Sequence, residues 1–285
     1  MNLISAMSQK ETLAQQGYLA LRGVFDAEEV AQLRALSDAM TASAEAVLTE
    51  VSANGGTLGA RAQAHPEELI VVSEADDPTK LCRYEYLMGH SAAFSAFVEK
   101  TVLPVAETIL AEPVAVFKDK TNEKAPGGGA FGPHQDHEAY KSFGPGRFVT
   151  ALISIDPATR ANGAMEFAPN YKSLAAHDPQ AQDFDGYPLF DCVDGGPQHG
   201  EVVPDIAAQL EWEMLETSPA DLVLFDSFVP HRSAVNASAQ PRRAIFITMN
   251  VAREGALYAR YYAEKRSNYD DPKFHVATPT AREGR

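Results

Sequence analysis

The sequence predicts a mostly β protein with flanking helices, built as a sandwich or a barrel. Beyond about residue 113, short runs rich in apolar and β-branched side chains recur, as strands in a packed sheet require. Clusters of Gly, Pro, Asn and Asp separate them, which suits short antiparallel connections better than a parallel α/β sheet. Before about residue 112 the apolar residues recur mainly at helical spacing.

Residues 11–16 read as a short helix stopped at Gly17, and Tyr18-Leu19-Ala20-Leu21 alternates like a brief strand. Asp26 is the expected N-cap of a helix over 27–51, where Val30, Leu33, Leu36, Met40 and Val47 fall at roughly helical spacing. Residues 53–58, with Gly55-Gly56, make a loop, and helical patterning returns over 91–110. Strands are expected over 114–117, 148–155, 164–168, 210–215, 222–225 and 244–251. Pro126-Gly127-Gly128-Gly129, Gly144-Pro145-Gly146, Asn162-Gly163 and Ser218-Pro219-Ala220-Asp221 supply turns. Residues 170–205 form a long insertion rich in Gly, Pro and Asp, the expected mobile lid. Residues 258–269, aromatic and basic, are expected to close a pocket or cap the domain. The chain reads as one domain: helical over about 1–112, β-rich over about 113–252, and a cap over about 253–285.

With 285 residues and 45% hydrophobic content, the chain can bury a substantial core. A net charge of −15 argues against sequence-independent binding to nucleic acid or an anionic membrane, but leaves room for a small anionic ligand in a local patch. Cys82 and Cys192 lie far apart without a CxxC, which argues against a disulfide framework or zinc ribbon. No signal peptide is read over residues 1–16, and no apolar run reaches bilayer length. A soluble, cytoplasmic protein acting on a small molecule is expected.

Two fragments carry the chemistry. In His134-Gln135-Asp136, side chains at i and i+2 on a strand share a face, so His134 and Asp136 can reach one ion while Gln135 points away. Pro133 and the glycine-rich stretch 127–132 favour a turn into that strand. The second fragment is an apolar strand ending at Val229-Pro230-His231, followed by Ser233 and then Arg242. Each alone is weak, since a histidine beside an aspartate is usually a surface pair. Together they offer two imidazoles and a carboxylate, the set that holds non-haem iron(II) and leaves positions open. The planar fork of Arg242 suits a carboxylate ligand. Two other classes use the same residues: a metal-binding sensor without chemistry, and a zinc hydrolase that adds His137. A mere metal binder gives Arg242 and Ser233 no role, and for the second class hard oxygen donors and an open face fit iron at least as well, while zinc hydrolases commonly present more histidines.

In this order the residues resemble the phytanoyl-CoA dioxygenase family of iron(II)/2-oxoglutarate oxygenases. That family's pattern is HxD, then a distant histidine with Ser two residues and Arg eleven residues beyond it, matched by His134, Asp136, His231, Ser233 and Arg242. The stretches 16–25 and 162–169 are also similar to family segments. The resemblance implies a double-stranded β-helix (a jelly roll), iron(II) held by His134, Asp136 and His231, and 2-oxoglutarate and O2 as co-substrates. It adds Asn122 and Thr150 to Ser233 and Arg242 around 2-oxoglutarate. It further implies oxidative decarboxylation to succinate and CO2 coupled to attack on a C–H bond. Halogenating relatives replace the carboxylate ligand by a small residue; Asp136 is present, so hydroxylation is expected. The family's Gly-Ser-His after the proline is Asn170-Tyr171-Lys172 here, a departure that bears on substrate and not on metal.

Within the family, Lys118-Asp119-Lys120-Thr121-Asn122 through Gly129 is similar to 2-aminoethylphosphonate dioxygenases, which hydroxylate the carbon beside phosphorus. On that resemblance Lys118, Lys120 and Arg147 would meet the phosphonate, Glu138 the amine, and Tyr140 would pack over the group. A free amino acid, another small metabolite or an acyl thioester are the alternative substrates.

Overall fold

The computed structural model describes residues 3–74, 77–196 and 198–275. Its strands are β1 (Tyr18–Leu21), β2 (Ile70–Ser73), β3 (Leu81–Glu85), β4 (Val114–Lys124), β5 (Phe131–His134), β6 (Phe148–Ser154), β7 (Met165–Phe167), β8 (Gln182–Asp183), β9 (Pro188–Leu189), β10 (Glu213–Leu215), β11 (Leu222–Asp226), β12 (His231–Ser233) and β13 (Arg242–Val251). The large sheet runs β1-β11-β6-β13-β4-β3-β2 and the small one β10-β7-β12-β5, with every pairing antiparallel. The two sheets face each other as a jelly roll.

Strand alternation sorts the side chains between two cores. Leu222, Leu224, Ile245 and Ile247 point outward and pack with Leu33, Met40, Ala44 and Phe94 of the covering helices. Val223, Phe225, Ala244 and Phe246 point inward, against Met165 and Phe167 of the small sheet. The large sheet is thus covered on both faces, so β6 and β11 are buried along their whole length and read as unbroken apolar runs.

Helix Ala27–Asn54 begins where the sequence places it. The Asp26 side chain accepts from the Glu28 and Glu29 amides, each at 2.9 Å, and the Glu29 side chain returns to the Asp26 amide. Asp26→Ala is therefore expected to cost about 0.5–2 kcal/mol. That loss would lower the thermal midpoint followed by circular dichroism, and an unchanged midpoint would deny the cap any contribution. Gly17 ends helix Leu3–Gln16 at φ +79, and a Cβ there would lie 2.6 Å from the Val229 Cβ, so the N-terminal turn presses on the segment that leads into His231.

Two expectations are corrected. The stretch before residue 112 is not helical throughout: β2 and β3 extend the large sheet, with helix Leu58–Ala64 just before them. And β4 does not stop at Phe117 but continues to Lys124. Both cysteines are free, and among the described residues no helix is long and apolar enough to cross a membrane.

Candidate active site

β5 and β12 are antiparallel neighbours with His231 directly opposite His134, which brings their ring centroids to 4.2 Å. Each Nδ1 donates to a carbonyl two residues back, His134 to Gly132 at 2.7 Å and His231 to Val229 at 3.1 Å. Both Nε2 lone pairs are left for a ligand. Burial lowers both imidazoles, His134 to about 3, so each is neutral at physiological pH. Burial opposes charge on Asp136, yet His231 and Lys120 hold its carboxyl down at about 2. One ligand atom from each of His134, Asp136 and His231 falls within 4.8 Å of the others. Two neutral imidazoles and an ionised carboxylate suit iron(II).

Asp136 does not arrive by strand alternation. β5 ends at His134, and Asp136, at φ −57 and ψ −27, opens the helical turn His137–Tyr140. Gln135 between the ligands turns away from the metal site: its Nε2 donates to the Pro188 and Phe228 carbonyls, and its Oε1 accepts from the Phe190 amide. His137 stacks on Phe228 at 3.9 Å between centroids and stands outside the ligand set.

On the cavity's other side Arg242 opens β13 opposite Lys124. It is 2% exposed, its Nε has no hydrogen-bond partner among the described residues, and burial pushes its pKa down to about 10. The carboxylate that acts on it, Asp156, is already bound by Arg243 and Arg34. Lys124, which the sequence reading passed over, donates to Ser233 Oγ at 2.8 Å, and burial beside Arg242 pushes its pKa well down. A buried guanidinium without an anion is costly, so this pocket suits a ligand that brings a carboxylate. Asn122 lines the same cavity, its Oδ1 buried and unpartnered. Thr150 is not in the wall; its hydroxyl bonds that of Thr248 at 2.9 Å.

Lys118, Lys120 and Asn122 lie at period two on the inner face of β4, while β3 sets Arg83 opposite Asn122 and Glu85 opposite Lys120. Lys118 Nζ sits 4.6 Å from the Tyr140 ring centroid, and burial, reinforced by Lys120, lowers its pKa to about 7. Two expected substrate residues are not in the cavity wall. Arg147 pairs with Asp226 and covers the Tyr187 ring, and Glu138 pairs with Lys141 at 2.8 Å. The 170–205 insertion, the expected lid, stands away from the cavity wall. Among the described residues none of it lines the cavity, and Tyr171, Leu189, Phe190 and Val202 are buried in the core between the sheets. Tyr261, Lys273 and Phe274 of the C-terminal segment close that side instead. Arg83 and Glu85 were missed because β3 was; the alternation Leu81-Cys82-Arg83-Tyr84-Glu85 was the available signal.

The model of the phytanoyl-CoA dioxygenase (PhyH) family matches residues 13–244, most of the chain and all three candidate metal ligands. The chain belongs to that family. It is 33% identical over 190 residues to a 2-aminoethylphosphonate dioxygenase from uncultured bacterium HF130_AEPn_1, 66% of either chain. It is 32% identical over 190 residues to a methylphosphonate hydroxylase from Gimesia maris, 66% of this chain and 65% of that one. The match thus spans just under two thirds of either relative's length. The fold is that of iron and 2-oxoglutarate oxygenases of known structure. EctD from S. alaskensis with 2-oxoglutarate and 5-hydroxyectoine superposes with a TM-score of 0.59 at 17% identity, over 87% of this chain and 76% of that one. The epimerase SnoN with Fe3+, alpha ketoglutarate and nogalamycin RO gives 0.58 at 17% identity, over 88% and 85%.

Proposed function

We propose that this protein is an iron(II)- and 2-oxoglutarate-dependent dioxygenase that hydroxylates an aliphatic C–H of a small anionic substrate. The best-supported substrate is 2-aminoethylphosphonate or a related organophosphonate, attacked at the carbon next to phosphorus. The observation that carries the class is the unpaired, buried Arg242 in the same cavity as the His134, Asp136 and His231 set. A metal sensor or a zinc hydrolase has no use for it.

His134, Asp136 and His231 would hold the metal, and Arg242, with Ser233 and Lys124 behind it, the distal carboxylate of 2-oxoglutarate, Asn122 contributing its amide. When bound, iron and 2-oxoglutarate supply the activation of O2, with succinate and CO2 as by-products. The chain's own part is orientation and exclusion of water. Lys118 and Lys120 form no hydrogen bond or ion pair among the described residues, and their ammonium groups face an anion's place beside the metal set. Tyr140, Tyr261, Phe246 and Phe274 wall that place with apolar surface. Two of the relatives described above act, by their names, on phosphonates, which fits such a pair of lysines. We place the protein in the cytoplasm, a setting that suits two free thiols.

Anaerobic addition of iron(II) and 2-oxoglutarate is expected to give a weak visible charge-transfer band; its absence removes the oxygenase reading. Succinate release is expected to rise several-fold above background with 2-aminoethylphosphonate or methylphosphonate, and less with free amino acids or acyl thioesters. If no phosphonate stimulates it, the phosphonate reading fails while the oxygenase class stands.

A further inference from the structure

Asp136 and Glu85 are the only carboxylates lining the cavity among the described residues, and Asp136 belongs to the metal set. Glu85 is 1% exposed. Its Oε1 accepts from Arg83 Nε at 2.9 Å and from Lys265 Nζ at 2.6 Å. Its Oε2 has no hydrogen-bond partner among the described residues. A buried carboxylate oxygen without a donor is disfavoured unless something else supplies one. The two cations on Oε1 keep the group ionised, so Oε2 is a charged acceptor. Across the sheet, Glu85 stands directly opposite Lys120, with Lys118 one step along the same face of β4. The cavity thus carries a free acceptor beside two free ammonium groups, the complement of a short zwitterion. Three aromatic rings, Tyr140, Tyr261 and Phe274, stand around it, and such faces also favour a cation.

We propose that Glu85 is the residue that selects a substrate carrying a protonated amine, its Oε2 accepting from the ammonium while Lys118 and Lys120 take the anionic head. This rests on the small-anion reading above and replaces Glu138, which the sequence suggested, as the amine's partner. A site built to bond an N–H rejects the analogue that lacks it far more strongly than it rejects a lost methylene.

The test pairs each amine with its isostere: 2-aminoethylphosphonate against propylphosphonate, and β-alanine against butyrate. Each is followed by succinate release and by calorimetric affinity for the iron and 2-oxoglutarate-loaded protein. Wild type is expected to favour the amine by about 10,000-fold or more. Glu85→Gln should erase most of that preference through KM on the amine, leaving the isostere and the charge-transfer band unchanged. Equal handling of amine and isostere by wild type overturns the proposal, as does a Gln variant that weakens both members alike. Should Glu85→Gln melt early, Glu85→Asp takes its place: it keeps the charge but draws the acceptor back, and is expected to lower the amine preference while the isostere is handled as before. If neither phosphonate binds, the head-group reading fails and the carboxylate pair still reads Glu85; if no amine in either pair is favoured, Glu85 has no such role.

Discussion

Alanine at His134, Asp136 or His231 is expected to bring iron-dependent decarboxylation of 2-oxoglutarate down to the level seen without protein. Among the described residues these three are the cavity's candidate metal ligands, and both histidines are held by backbone carbonyls that do not depend on a metal. Removing a group that merely orients a ligand typically costs 10–100-fold in metal affinity. Removing a ligand outright should cost more, on the order of 100-fold or beyond. Asp136→Ala should be the most severe, because it also strips the carboxylate that balances Lys118 and Lys120. Loss of the anaerobic band with an unchanged circular dichroism spectrum is the expected record. Turnover that survives any of the three would dissolve the site.

Arg242→Ala is expected to separate metal from co-substrate. Truncating one partner of a buried charge pair costs about 2–5 kcal/mol, so the 2-oxoglutarate requirement should rise on the order of 30- to several-thousand-fold. Iron binding should change little, because Arg242 works on the far end of the co-substrate. Arg242→Lys should recover only part of the loss, a point charge replacing a fork. Without co-substrate the alanine variant should melt no lower than wild type, since it removes a buried cation that has no anion of its own. An equal loss of iron and 2-oxoglutarate affinity would contradict the assignment.

The central strands of the large sheet were legible because their apolar runs, 148–154 and 222–226, are buried on both faces and stand out in any window. His231 opens β12 just after the second of these runs, and Arg242 opens β13 just before the buried apolar stretch 244–250, so position and chemistry agree. The lower half of the cavity was not legible, for a specific reason. Arg83 and Glu85 are tolerated inside because they neutralise each other with Lys265 closing the set from residue 265, a pairing that no local pattern displays. Lys118 and Lys120, by contrast, were named from the family resemblance, and the folded sheet brings both to the cavity wall. Glu138 and Arg147 were misread by nearness to the HxD fragment: the chain turns helical at His137, which carries Glu138 to Lys141 rather than inward. The insertion looked like a lid by composition, but Leu189, Phe190 and Val202 give it apolar anchors.

Gln135 gives that anchoring a second meaning. A single amide, flanked on either side by a prospective iron ligand, staples together the turn after β5, the 188–190 stretch and the approach to His231. Fraying of the insertion therefore cannot stay local, because it releases the spacing between the two ligands and the third at once. A grip on an ion there would be only as durable as the docking of a stretch more than fifty residues downstream in sequence.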